Sequence, residues 1–357
     1  MAVPASETRS TTRPIQLYHQ SSQFRNWRYS KAGLDTLRRE LNEQAVQRMK
    51  SLWEQERAQQ EQAATSTDEV PTPPPGGSGA ETEYLTVDDE QLLVTYYLTQ
   101  VQAMCGAFQF PEMVQATAMS YLKRFYLNNK VMDYHPKNIM LTCVFLATKT
   151  ENFPISIDAF SSRVKTAPVE ILSLEFLVSQ SLKFEYKVHH AHLGLNGILL
   201  DLQTCPGIEA SVVASSASKA TTYLKHSRHT WVELVYTPSQ IALACLYLVS
   251  PDLVMTYLES KRSRSQASTT TSVEDSVMTR LLIEIGETIQ DVQRHPIEKD
   301  KVKDIDKRLR WARNPEKDPN SLLYKKRKKE EEDEKEQKER DKAAKRPKPE
   351  DDGSVFD

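Results

Sequence analysis

The chain has 357 residues, with 47 Lys+Arg against 49 Asp+Glu and a formal net charge of −2. That length suits two or three domains, and the balanced charge argues against a nucleic-acid binder driven by bulk electrostatics. Four scattered cysteines without a CxxC pair, only 10 glycines and no apolar segment at the start point away from zinc or disulfide frameworks and secretion, toward an all-α, soluble, intracellular protein.

Residues 1–16 carry no pattern, and Tyr18–Ser30 (YHQSSQFRNWRYS) then interleaves aromatic, basic and hydroxyl residues. Stacking on RNA is one use of such a mix; packing on the folded core or on a partner is favoured. Ser30 is placed to cap a helix carrying Leu34, Leu37, Leu41, Ala45, Met49 and Leu52 at three- and four-residue steps. This amphipathic rod completes an N-terminal segment, 1–60. Residues 61–83, rich in Pro, Gly, Ser and Thr, read as a flexible insertion.

Helical patterns resume at Thr86. The third, HPKNIMLTCVFLATKTEN (His135–Asn152), opens on a proline suited to a first helical turn and stays almost wholly apolar until Lys149. It has an echo in TPSQIALACLYLVSP (Thr237–Pro251). Laying Pro136 over Pro238 aligns Ile139 with Ile241, Leu141 with Leu243, Cys143 with Cys245, Phe145 with Tyr247 and Leu146 with Leu248. Helices apolar all round are enclosed, and both are shorter than the roughly 20 residues a membrane span needs, so protein encloses them. Each becomes the centre of a five-helix bundle, one over 84–189 and one over 190–295. Lys149 aligns with Pro251. The bundle therefore does not require the lysine, which serves something the first copy does alone.

After Pro296 comes another amphipathic helix, with Val302, Ile305, Leu309 and Ala312 on one face, inside a C-terminal segment 296–323. Residues 324–357 have too few apolar side chains to fold alone. They read as a largely disordered tail, with a solvated helix in the charged middle and fraying beyond Pro347. KKRKK (Lys325–Lys329) and AKRPKP (Ala344–Pro349) match the composition of nuclear import signals and, equally, that of a plain solvated tail. His189, His190 and His192 lack further metal ligands nearby and read as a linker between bundles. No Gly-rich phosphate loop, GxSxG or HExxH occurs, so no enzyme activity, cofactor or metal is expected.

Paired five-helix repeats between two amphipathic helices, with the segments YLKRFYLNNKVMDYHPKNIMLTCVFLATKTENF, YHQSSQFRNW and LVYTPSQIAL, resemble the cyclin family, and within it the cyclins of CDK-activating kinases. The resemblance spans roughly 17–325, apart from the Pro-rich insertion and the polar Ser/Thr loop KRSRSQASTTTS at 261–272. It implies a nuclear regulatory subunit that binds and activates a cyclin-dependent kinase of the activating type. The implied partners are that kinase, a RING-finger assembly factor and the TFIIH core, in support of RNA polymerase II C-terminal phosphorylation; neither membrane nor direct nucleic-acid binding is implied.

Two site residues carry over by motif: Lys149 in Ala147-Thr148-Lys149, and Glu175 in ILSLEFLV. In the family these contact the kinase backbone leading into its C-helix; an ammonium donates to carbonyls and a carboxylate accepts amides. The competing reading is a plain intramolecular pair at a helix C-terminus. Phe153 and Tyr186 flank these elements as apolar anchors or as core. The cell-cycle M-R-x-x-L-x-x-W docking motif is absent: Gln91 and Tyr97 hold its arginine and tryptophan positions, and Lys123 replaces the usual aspartate of helix two. An internal ion pair of the family is thus lost from both sides, and no docking groove of that type is expected. The alternatives are a TFIIB-like double repeat, which calls for a zinc ribbon and a basic face, and another transcriptional cyclin, against which YHQSSQFRNW argues.

Overall fold

Proline, threonine and serine set the helix starts. In the computed structural model, which describes residues 17–64, 83–264 and 272–344, a short α1 (Ser22–Asn26) and a long α2 (Lys31–Ala64) come first. The first bundle then runs α3 (Val87–Phe108), α4 (Glu112–Phe125), α5 (Pro136–Thr150), α6 (Ile157–Val164) and α7 (Pro168–Ser181). The second runs α8 (Ala191–Leu202), α9 (Ala210–Ser227), α10 (Pro238–Tyr247), α11 (Pro251–Arg264) and α12 (Ser272–Arg294). α13 (Lys299–Ala312) and α14 (Leu322–Ala344) follow. Capping boxes open α3 and α10: Thr86 exchanges hydrogen bonds with Asp89, and Thr237 with Gln240. Prolines occupy the first turns of α5, α7 and α10.

The repeat read in the sequence is the architecture. α5 packs against α3, α4 and α7, and α10 against α8, α9, α11 and α12. Every residue from Ile139 to Thr148 is buried, as are Ile241, Ala242, Ala244, Cys245 and Leu246. Burying one such large aliphatic side chain contributes about 1.5–3 kcal/mol, so these two helices anchor the two cores. All four cysteines are buried and none is in a disulfide. Among the described residues no helix is long and apolar enough to cross a membrane.

Both terminal segments clasp the first bundle. Ala45, Met49 and Leu52 of α2 join its core from one side, and Val302, Ile305, Leu309 and Ala312 of α13 from another. The aromatic-basic segment docks where the bundles meet: Trp27 and Leu34 pack with Leu127 and Leu234. The Gln23 side-chain amide pairs with the backbone of the joining segment, its Nε2 donating to His189 O and its Oε1 accepting from His189 N. Trp27 Nε1 donates to Glu185 at 2.6 Å, and the Arg124 guanidinium covers the indole at 5.0 Å.

α14 runs from Leu322 to Ala344, so the solvated helix expected in the charged middle takes in the start of that stretch as well. Its start is anchored. Glu56 of α2 accepts from Ser321 Oγ and from the amides of Leu322 and Leu323. Beyond that, pairs four residues apart (Arg327–Glu331, Glu334–Lys338, Glu336–Arg340) support an exposed helix. Residues 65–82 of the Pro-rich insertion, 265–271 of the Ser/Thr loop and 345–349 of the second import-like run lie outside the described residues.

Candidate functional site

Lys149 sits in the last turn of α5, where the helix dipole favours a cation. Its ammonium lies 2.5 Å from Glu175 Oε1, in the middle of α7, and 4.3 Å from the centroid of the Phe145 ring. The pair faces solvent: the lysine side chain is 41% and the glutamate 23% exposed. Two central elements of the first bundle thus present opposite charges side by side, each with capacity left. The ammonium has three protons and the carboxylate two oxygens, so neither is saturated by one contact.

The chain turns sharply after α5. Asn152 adopts φ 55°, and Phe153 N donates to Thr148 O at 2.8 Å, the closing bond of a Schellman-type helix end. This sets Phe153, half exposed, edge-on to Phe110. Tyr186 is placed differently. It is half buried against the first core, and its carbonyl accepts from Tyr121 OH at 2.6 Å, while the same hydroxyl meets Thr150 Oγ1 of α5 at 2.9 Å. Lys149 and Glu175 are therefore in contact, Phe153 emerges from the turn just beyond Lys149, and Tyr186 is joined to the end of α5 through Tyr121.

Sequence reasoning missed a larger feature. α7 is apolar on two sides, and only Ile171 and Val178 of its apolar residues are fully buried. Val169 (69% exposed), Leu172 (42%) and Phe176 (69%) form a second face at i, i+3 and i+7. Phe184 extends it, with its ring 6.1 Å from that of Phe176. Lys183 and Phe184 both take left-handed backbone angles, φ 55° and 57°, at about 1–2 kcal/mol each for non-glycine residues. That turn holds a large aromatic ring in water instead of burying it. The available signal was the composition of PVEILSLEFLVSQS, which has too many apolar residues for a half-buried helix. Contiguous exposed apolar surface is characteristic of interaction sites in general.

The histidines of the joining segment are packed into the protein. His190 is buried with Nε2 2.8 Å from Thr117 Oγ1 and its ring stacked on His192, and burial pulls it well below the usual histidine range. Among the described residues no cluster of His, Cys, Asp or Glu is placed to hold a metal. Lys123 and Gln91, the positions where a family ion pair is missing, are both reused: Lys123 reaches Glu233 of the second bundle, and Gln91 accepts from Arg38 at 2.9 Å.

Known proteins share this architecture. The family described as "Cyclin, N-terminal domain" matches residues 83–187, and "Cyclin C-terminal domain" matches 190–294. Cyclin mcs2 of Schizosaccharomyces pombe is 32% identical over 312 residues, 87% of this chain and 89% of the relative. Cyclin-H1-1 of Arabidopsis thaliana is 33% identical over 233 residues, 63% of this chain and 68% of that one. A chain in the cryo-EM structure of the yeast TFIIK (Kin28/Ccl1/Tfb3) complex superposes with a TM-score of 0.55 at 28% identity, covering 76% of this chain and 100% of that one.

Proposed function

The chain belongs to the cyclin family, and from that premise we propose that it is the regulatory cyclin of a CDK-activating kinase, a non-catalytic subunit acting within TFIIH in the nucleus. The yeast assembly of Kin28, Ccl1 and Tfb3 supports a three-protein unit in which this chain takes the cyclin place beside a kinase and a RING-finger assembly factor. Its task there is to support phosphorylation of the RNA polymerase II C-terminal repeats and of other kinases.

The site performs this by docking. In the free chain Lys149 and Glu175 pair with one another through a single contact. On binding, the ammonium donates to main-chain carbonyls of the kinase segment leading into its C-helix, and the carboxylate accepts amides from the same segment. Recognition of backbone makes few demands on partner side chains. Val169, Leu172, Phe176 and Phe184, with Phe153 at the edge, bury against apolar kinase side chains, while Tyr186 and Tyr121 stiffen the platform from behind. A rigid face that fits only the inward C-helix shifts the kinase toward its active arrangement, in which its own lysine–glutamate pair forms.

One observation carries this reading: the Lys149–Glu175 pair stands on two central helices of the first bundle beside an apolar α7 face that no described residue covers. Affinity capture of the full chain from nuclear extract, with mass identification of what it retains, tests it. Joint recovery of a cyclin-dependent kinase and a RING-finger protein is expected. Recovery of promoter-binding factors without any kinase would overturn it.

A further inference from the structure

A groove of about 820 Å³ lies between the start of α5, α7, the end of α13 and the start of α14. Lys149, Phe153 and Phe176 do not line it, so it is separate from the docking face. Five cations line it, Lys137, Arg310, Arg313, Lys317 and Arg327, of which Arg313 is paired with Asp318 and Arg327 with Glu331. The two carboxylates in its wall are already engaged, Asp133 by Arg48 and Asn314, and Asp306 by His135 at 3.3 Å. Lys137 and Arg310 are exposed and form no ion pair among the described residues. Lys317 is poorly balanced: burial pulls its ammonium down to about 8, Asp133 is 3.9 Å away, and the Tyr134 ring centroid lies 3.3 Å off. Tyr97 and Tyr324 add further aromatic wall.

We propose that this groove binds a short phosphorylated peptide segment. Guanidinium groups chelate phosphate oxygens in bidentate fashion, and clustered arginines are a recurring mode of phosphopeptide recognition. The tyrosine faces receive apolar side chains between phosphates. The volume sits near the top of the roughly 300–1,000 Å³ range of small-ligand sites, more than a lone phosphate fills. Along α14 the basic run Lys325–Lys329 gives way to Glu330, Glu331, Glu332, Asp333 and Glu334, so a polyanion longer than the groove meets repulsion beyond it. The groove selects a short anion of high local charge.

The test is independent of kinase docking. Full-length chain is titrated, by fluorescence anisotropy, into a ten-residue peptide bearing one tyrosine and two phosphoserines, into its unphosphorylated twin and into a ten-nucleotide single-stranded RNA. The phosphopeptide is expected to bind at least tenfold tighter than either other probe, and R310A/R327A to weaken it at least tenfold with the thermal melt unchanged. If that variant melts early, Lys137→Ala on α5 supplies the same comparison. Equal affinity for the twin, tighter binding of RNA, or full affinity in the folded variants overturns the proposal.

Discussion

Lys123 in the first bundle and Glu233 in the second stand 3.0 Å apart across the seam between the repeats. The ammonium is fully buried and also donates to the carbonyls of Arg228 and Thr230 at 2.9 and 3.0 Å. All three donors are used, and Ser120 Oγ supports the carboxylate at 3.1 Å. Lys123→Met leaves two carbonyls and a carboxylate facing an apolar tip. Breaking a buried pair by removing one partner costs about 3–5 kcal/mol, so a loss near 3 kcal/mol is expected in urea unfolding. Glu233→Gln should cost less, because that side chain is 22% exposed and keeps its contact with Ser120. A loss under about 1 kcal/mol for Lys123→Met would show that the seam is held by apolar packing alone.

The same seam makes stability depend on pH. His229 is buried, and its Nε2 meets Gln102 Oε1 of α3 at 2.8 Å. Burial, with Lys123, His226 and Arg228 adding repulsion, pulls its pKa from 6.5 down to about 4. Between those values the unfolded chain binds a proton that the folded chain refuses, so stability falls as pH drops from 6.5 toward 4. At about 1.4 kcal/mol per pH unit the full effect is of order 3 kcal/mol. Thermal melts of the wild type from pH 7 to pH 4.5 should therefore shift down more steeply than those of His229→Gln. Parallel slopes would assign the acid sensitivity to other groups, His190 first among them.

Glu56 ties α2 to the start of α14, and it too is buried. Burial alone raises its pKa, but the amides of Leu323 and Leu322 and the Ser321 and Gln60 side chains outweigh that and hold the carboxyl below its ordinary value. This stabilisation is present above the unfolded pKa and is lost as pH falls through the lower folded one. Glu56→Ala removes the acceptor for four donors, three of them at the start of α14, worth about 1–3 kcal/mol locally. The expected outcome is faster hydrogen exchange at Leu322–Tyr324 and faster tryptic cleavage at Lys325–Lys329 at neutral pH, with the core amides of α5 unchanged. Unaltered cleavage would mean that α14 is held by something other than this cap.

The fold was legible because its periodicity is strong and repeated. Pro136 and Pro238 mark equivalent helix starts, and the apolar runs behind them have no place except the centre of a bundle. Lys149 and Glu175 were picked out by motif as a kinase contact, which stands as a proposal, and the ion pair they form in the chain is the intramolecular one that the sequence offered as the competing reading. The seam was not legible. Lys123 looked like half of a lost ion pair, and its partner lies 110 residues on, beyond any local spacing rule. The second apolar face of α7 was overlooked because composition shows an excess of apolar residues without showing which of them the core can cover.

That uncovered face gives the sharpest test of the kinase reading, since α7 carries buried and exposed apolar residues on one helix. Phe176 is 69% exposed and Ile171 only 1%. Phe176→Ser should shift the stability of the free chain by about 0.5 kcal/mol or less, as at most surface sites. Its loss from a docked interface should cost about 2 kcal/mol, the scale of an aromatic hot spot, or roughly thirtyfold in affinity. Lys149→Ala should behave alike, because an exposed ion pair contributes about 0–1 kcal/mol to folding. Ile171→Ser should show the reverse, with the melt collapsing before binding can be measured. Calorimetric titration of each folded variant with the partner kinase, beside its thermal melt, separates the cases. Were Phe176→Ser to bind the kinase as tightly as the wild type, the α7 face would have to be withdrawn as the docking surface, even with Lys149 still required.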